Sequence, residues 1–109
     1  MTLPALEEQL VEATRTLQDA RTNMMNADLA VFDAERDLKT DEAIARVEGV
    51  EGKNADEREA NLRLKLGHRF NVLDEAKRAR VRAAADLDIA VAEIRMVRGL
   101  IALYTVGGE

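Results

Sequence analysis

From Leu3 onward, apolar residues recur at spacings of three and four: Leu3, Leu6, Leu10, Ala13, Leu17 and Ala20, then Met24, Ala27, Val31, Ala34 and Leu38. That is the period of one helical face, and its length marks the seam of a coiled-coil-like helix. One seam position carries large residues and the other mostly alanine. Pro4 falls in the first turn, where its missing N–H costs nothing, and Thr2 can serve as N-cap. The seam fades at Asp41, so a first helix is expected over about residues 3–47.

The stretch 48–54 holds Gly49 and Gly52 and reads as a loop. Glycine past a helix end can take the left-handed conformation that closes the last turn. Asn54 followed by Glu57 is a capping-box spacing, so a second helix is expected over about residues 55–105. It repeats the seam through Leu62, Leu66, Arg69, Leu73, Ala76 and Arg80, then Ala83, Leu87, Ala90, Ile94, Val97, Ile101 and Tyr104. The two arginines and Gly67 weaken the pattern between 66 and 80, since an interior glycine costs roughly 1 kcal/mol against alanine. Leu62–Leu66 alternates like a strand, but the helix signals on either side outweigh five residues. Gly107 and Gly108 are expected to end the helix.

These readings give an all-α fold: one domain, 1–109, formed by a long antiparallel helical hairpin. Folding about the loop sets Leu38 near Leu66, Leu17 near Leu87 and Leu3 near Ile101. Ala20 then faces Ala83, and Ala13 faces Ala90, layers that permit close approach. Ordering about 100 residues costs on the order of 150 kcal/mol, more than one alanine-rich seam is expected to offset.

A second apolar stripe suggests what supplies the rest. On the first helix it comprises Val11, Met25, Leu29 and Phe32. On the second it comprises Val81, Ile89, Met96, Leu100 and Leu103, with Ala85 and Ala92 between them. A stripe of that width is the face of a bundle with more than two helices, so the hairpin is expected to dimerise into a four-helix bundle. A groove for another protein's helix is the alternative use, to which Met24, Met25 and Met96 would lend an adaptable surface.

Composition sharpens this picture. Hydrophobic residues make up 47% of the chain but aromatics only 3%, with 34% charged, a profile of long helices rather than of a deep globular core. Glu7, Glu8 and Glu12 stand where a signal peptide would be basic and apolar. The most apolar stretch, 87–106, is broken by Asp88, Glu93, Arg95 and Arg98. A soluble, cytoplasmic protein with no membrane partner is expected.

Chemistry is sparse. The chain has no cysteine, no serine, one tyrosine and one histidine. His68 lacks a second histidine and has Lys65 where a di-iron bundle would place glutamate, so it reads as a surface or interface residue. The carboxylates pair with bases four residues on: Glu35 with Lys39, Glu42 with Arg46, Glu59 with Arg63 and Asp74 with Arg78. Gly49-x-x-Gly52-Lys53 has neither the spacing nor the preceding strand of a phosphate loop. No catalytic, metal or cofactor site is expected, and the chain reads as a non-enzyme.

The net charge of −5 conceals an asymmetry: residues 1–48 carry 11 acids and 5 bases, residues 61–82 carry 2 acids and 7 bases. Those bases are Arg63, Lys65 and Arg69, then Lys77, Arg78, Arg80 and Arg82. They could contact phosphates of a nucleic acid or nucleotide. They also stand opposite Asp28, Asp33, Glu35, Asp37 and Asp41 in the hairpin, and cross-helix pairing is the preferred expectation, leaving weak or no nucleic-acid binding.

The turn Gly52-Lys53-Asn54-Ala55-Asp56-Glu57-Arg58-Glu59-Ala60, opening a helix that ends in Leu100-Ile101-Ala102-Leu103-Tyr104, resembles small helical-hairpin proteins of bacteriophages and prophages. The similarity covers roughly residues 17–104. It implies a phage accessory protein in the host cytoplasm, encoded near recombination and replication genes. The expected function is therefore that of an oligomeric helical adaptor acting with that machinery. The alternatives are an oligomer that sequesters an anionic nucleotide or host-defence component, and a purely structural coiled coil.

Overall fold

A computed structural model describes residues 2–107 and contains three helices: α1 (Leu3–Glu48), α2 (Ala55–Lys65) and α3 (Gly67–Gly107). There is no strand among the described residues. Leu62–Leu66 is thus not extended: its first four residues close α2. The Thr2 hydroxyl accepts a bond from the Ala5 N–H at 3.3 Å, which is the cap expected before Pro4. Helix α3 continues through Gly107; Gly108, the other expected stop, lies outside the described residues.

The chain divides into two compact units: Met1–Asn26 with Val81–Glu109, and Ala27–Arg80. In the first unit α1 and α3 run antiparallel. Ala13, Leu17, Ala20, Ala90 and Ile94 form its buried cluster, with Leu10, Leu87 and Val91 packed against them. The expected neighbours Ala13 and Ala90 are each only 1% exposed, as close-packed alanine layers require. Ala83 and Val97 are buried too, and Leu3 and Ile101 are half-buried. Tyr104 corrects the expected seam: it is exposed. On the expected register Leu3 is already matched to Ile101, so α1 begins too late to cover a residue one step further along α3.

The second unit is a hairpin. Its core joins Val31, Ala34, Leu38 and Ala45 of α1 to Leu62, Leu66 and Leu73, with Val50, Phe70 and Ala76 against them. Leu38 and Leu66 share this cluster, as the expected register requires. The two seam arginines part ways. Arg69 is half-buried and bonded to carboxylates of α1, whereas Arg80 is exposed, a second correction to the seam. No carboxylate lies within ion-pair distance of Arg80 among the described residues, and its long stem can carry the charge outward to water.

The loop follows its glycines. The Gly49 N–H bonds the Ala45 carbonyl at 3.0 Å, with Gly49 at φ 94° and Gly52 at φ 154°. Asn54 is extended and its side chain accepts from the Glu57 N–H at 2.8 Å, so it caps α2. The Asn61 amide donates to the Glu51 carbonyl at 2.7 Å, tying the loop to α2. The expected second helix is not continuous: it pauses at Leu66, whose φ and ψ of −98° and 14° leave the helical region before Gly67. The Leu66 and Phe70 N–H groups still find carbonyls four residues back, so the pause is local.

Candidate interaction surfaces

The basic segment splits by environment. In the second unit the Arg69 Nε–H donates to Asp41 at 2.6 Å, and another Arg69 nitrogen lies 3.6 Å from Asp37. The bond to Asp41 raises the Arg69 pKa above its ordinary value. Lys65 approaches Glu48 at 3.6 Å. Arg63 instead lies over the Phe70 ring, 5.3 Å from its centroid. Lys77, Arg78 and Arg80 are exposed and have no ion-pair partner among the described residues; the same holds for Arg82 in the first unit.

Cross-helix pairing therefore reaches only part of the segment. Of the opposing acids, Asp37 and Asp41 pair across the hairpin, while Asp33 bonds within α1 to Arg36 at 3.4 Å. Of the four expected pairs along one helix, Glu42 with Arg46 forms, at 3.0 Å. Arg46 also takes Glu59 at 2.9 Å, and these two hydrogen bonds, Glu42 first, raise its pKa. That contact draws Glu59 away from Arg63. Glu35–Lys39 and Asp74–Arg78 do not come within ion-pair distance among the described residues. His68 is exposed near the start of α3.

All nine residues of the second apolar stripe are exposed. In the first unit these are Val11 and Met25 on α1, with Val81, Ile89, Met96, Leu100 and Leu103 on α3. In the second unit they are Leu29 and Phe32. Phe32 is 63% and Ile89 65% exposed, values typical of residues that meet nothing within their own chain. Taking Leu3 and Leu73 as heptad position a, the seam occupies a and d. Val11, Met25, Phe32 and Val81 fall at b, Leu29 at f, and Ile89, Met96 and Leu103 at c. Leu100 alone flanks the seam, at g, and is the least exposed of the nine at 40%. The stripe thus lies on the outside of each helix.

One feature of the first unit escapes a reading based on apolar period. Two grooves flank its seam. The groove on the e and b side is lined by Thr14, Leu17, Gln18, Arg21 on α1 and by Val91, Ile94, Arg95, Arg98 on α3. The g and c side carries Glu8 and Glu12 opposite Glu93, then Asp19 opposite Asp86. Heptad lettering of the charged residues, rather than of the apolar ones, is the signal that finds it. No helix among the described residues is long and apolar enough to cross a membrane. No protein-family model, curated protein or solved structure matches the chain.

Proposed function

We propose that this protein is a non-enzymatic helical adaptor that works by self-association, presenting its outer helix faces to further copies and to a partner protein. The observation that carries the reading is the exposure of the second apolar stripe in both units, on helices whose seams are already filled. Scattered surface apolar residues are ordinary, but a stripe repeated at helical spacing is the mark of an interface. A four-helix bundle would cover only part of it: b lies on one side of the seam and c on the other, so a single face-to-face dimer leaves much of the stripe exposed, which favours association through both sides of the hairpin. The turn 52–60 and its resemblance to phage helical hairpins supply the setting: a cytoplasmic accessory to recombination or replication proteins.

The test is association itself. The wild type should form dimers or larger species at micromolar concentration, with a Tm that rises with protein concentration. Replacing Phe32 and Ile89 by glutamate should give a monomer of lower, concentration-independent Tm, read by sedimentation equilibrium and thermal circular dichroism. A wild type that stays monomeric and stable at about 100 µM, some hundredfold above a micromolar Kd, would sink the reading.

A second reading, binding of an anionic ligand, is favoured by one observation: Lys77, Arg78 and Arg80 stand exposed without ion-pair partners among the described residues. Phosphate oxygens would satisfy them. Nucleic-acid binding on this surface would be weak and non-specific, because Phe70, the aromatic within the segment, is packed against the core rather than offered for base stacking.

A further inference from the structure

The first unit is electrically two-faced. Arg21, Arg95 and Arg98 line the groove on one side of the α1–α3 seam, where no acidic side chain contributes. On the other side, Glu8, Glu12 and Glu93 line one stretch and Asp19 and Asp86 the next, where no basic side chain contributes. All eight are exposed. Only Glu12 has an ion-pair partner among the described residues, Arg15 at 2.9 Å. Glu7 and Asp88 share the basic side and Arg82 the acidic side by heptad position, but all three lie outside the grooves.

The seam itself dictates this division. In an antiparallel pair the e positions of both helices meet on one side and the g positions on the other. Charges that share a side therefore either attract across the seam or repel. Arg21 with Arg98 at e, and Asp86 and Glu93 at g beside Asp19 and Glu12 at c, gain nothing from their own hairpin. Like charges gathered on one side destabilise a lone hairpin slightly and are relieved when an opposite surface covers them.

Apolar residues accompany both grooves. Val11, Met25 and Val81 stand at b on the basic side; Ile89, Met96 and Leu103 stand at c on the acidic side. Each side thus offers exposed apolar contact plus one sign of charge, and each is the complement of the other.

We propose that the occupant of each groove is a second copy of this chain, the basic side of one first unit seated on the acidic side of the next. This deepens the self-association reading and rests on it. The contact is heterologous: the two surfaces differ, so a pair of copies still has one free groove of each kind, basic on one copy and acidic on the other. Association then continues past the dimer, into a row or a closed ring. An isologous dimer through either groove would instead gather like charges about the two-fold axis, the arginines of the basic groove with their own copies or the carboxylates with theirs, and would leave the other groove uncovered.

Two variants test it in the full-length chain. In one, Arg21, Arg95 and Arg98 become glutamate, making both grooves acidic. In the other, Asp19, Asp86 and Glu93 become lysine, which turns the acidic side net positive although Glu8 and Glu12 remain. Because all six side chains are exposed and unpaired among the described residues, each variant should keep the wild-type far-UV circular dichroism spectrum. Sedimentation velocity should show the wild-type mass climbing beyond the dimer with concentration and falling as salt rises from about 50 to 500 mM. Each variant alone should associate on the order of 100-fold more weakly, and an equimolar mixture should recover association in heteromeric complexes. The salt titration needs no variant, so the proposal remains testable should one of them fail to fold. A wild type that stops at a salt-insensitive dimer, with no gain on mixing, would overturn the opposed-groove contact while leaving self-association intact. A wild type that remains monomeric throughout would overturn both.

Discussion

Gly52 shows how tightly one residue can be held by its backbone. Its φ of 154° lies in a region that side chains rarely enter, and a Cβ there would meet the Arg58 backbone nitrogen at 2.7 Å. Arg58 sits in the first turn of α2, where the chain has no room to retreat without moving the helix start. Gly49 also has positive φ, at 94°, but a Cβ there meets nothing within 4 Å. Both alanine substitutions carry backbone strain and only one carries a collision. Gly52→Ala should therefore cost more than about 1 kcal/mol in urea unfolding, and clearly more than Gly49→Ala. Equal costs would mean that φ alone decides and that the approach of Arg58 is of no consequence. The sequence signals that glycine is needed in this loop, but not which glycine is irreplaceable. That depends on how closely α2 turns back over the loop, and no local pattern encodes it.

At the scale of elements, the seam was legible because two independent periods had to agree. Every large or small residue assigned to it on α1 is buried or half-buried, from Leu3 to Leu38. The caps at Thr2 and Asn54 were legible for the same reason: side-chain chemistry and position reinforce each other. The pause between α2 and α3 was legible only as a weakness. Gly67 lowers helix propensity, but propensity does not say whether a helix breaks or merely softens. Gly67 has no positive φ and open space where its Cβ would be. Alanine should then be accommodated without strain and should stabilise the protein by about 0.5–1 kcal/mol, through propensity and a less flexible unfolded chain. Chemical denaturation measures this directly. If Gly67→Ala is destabilising instead, the pause is required by the packing of Leu66 and Phe70 against the core, and the glycine is there to permit it.

For the molecule as a whole, what the sequence leaves open is the use of its charges. The apolar period locates a seam, but a charged residue on a helix can face a partner helix, a second copy or water, and its letter in the heptad rarely decides between them. The basic segment is the clearest case. Pairing across the hairpin was the natural expectation, and Arg69 and Lys65 meet it. Lys77, Arg78 and Arg80 do not, because Asp28 and Glu35 never come within ion-pair reach of them among the described residues. This changes the outcome expected of a substitution. Had all three been paired, their replacement by alanine would lower the Tm. Since they are exposed and unpaired, the triple variant should melt within about 0.5 kcal/mol of the wild type, the usual range for surface substitutions. Any affinity for duplex DNA should be weak, should fall with salt, and should lose up to about 0.9 of log–log slope for each phosphate contact removed. A fluorescence-anisotropy titration at several salt concentrations reads both quantities. Tight binding at physiological ionic strength, abolished by the triple variant without loss of stability, would move the anionic ligand from second reading to first. A large fall in Tm with no change in binding would instead show that these three charges serve the fold or the assembly. The groove of Arg21, Arg95 and Arg98 would then be the next basic surface on which to test phosphate binding.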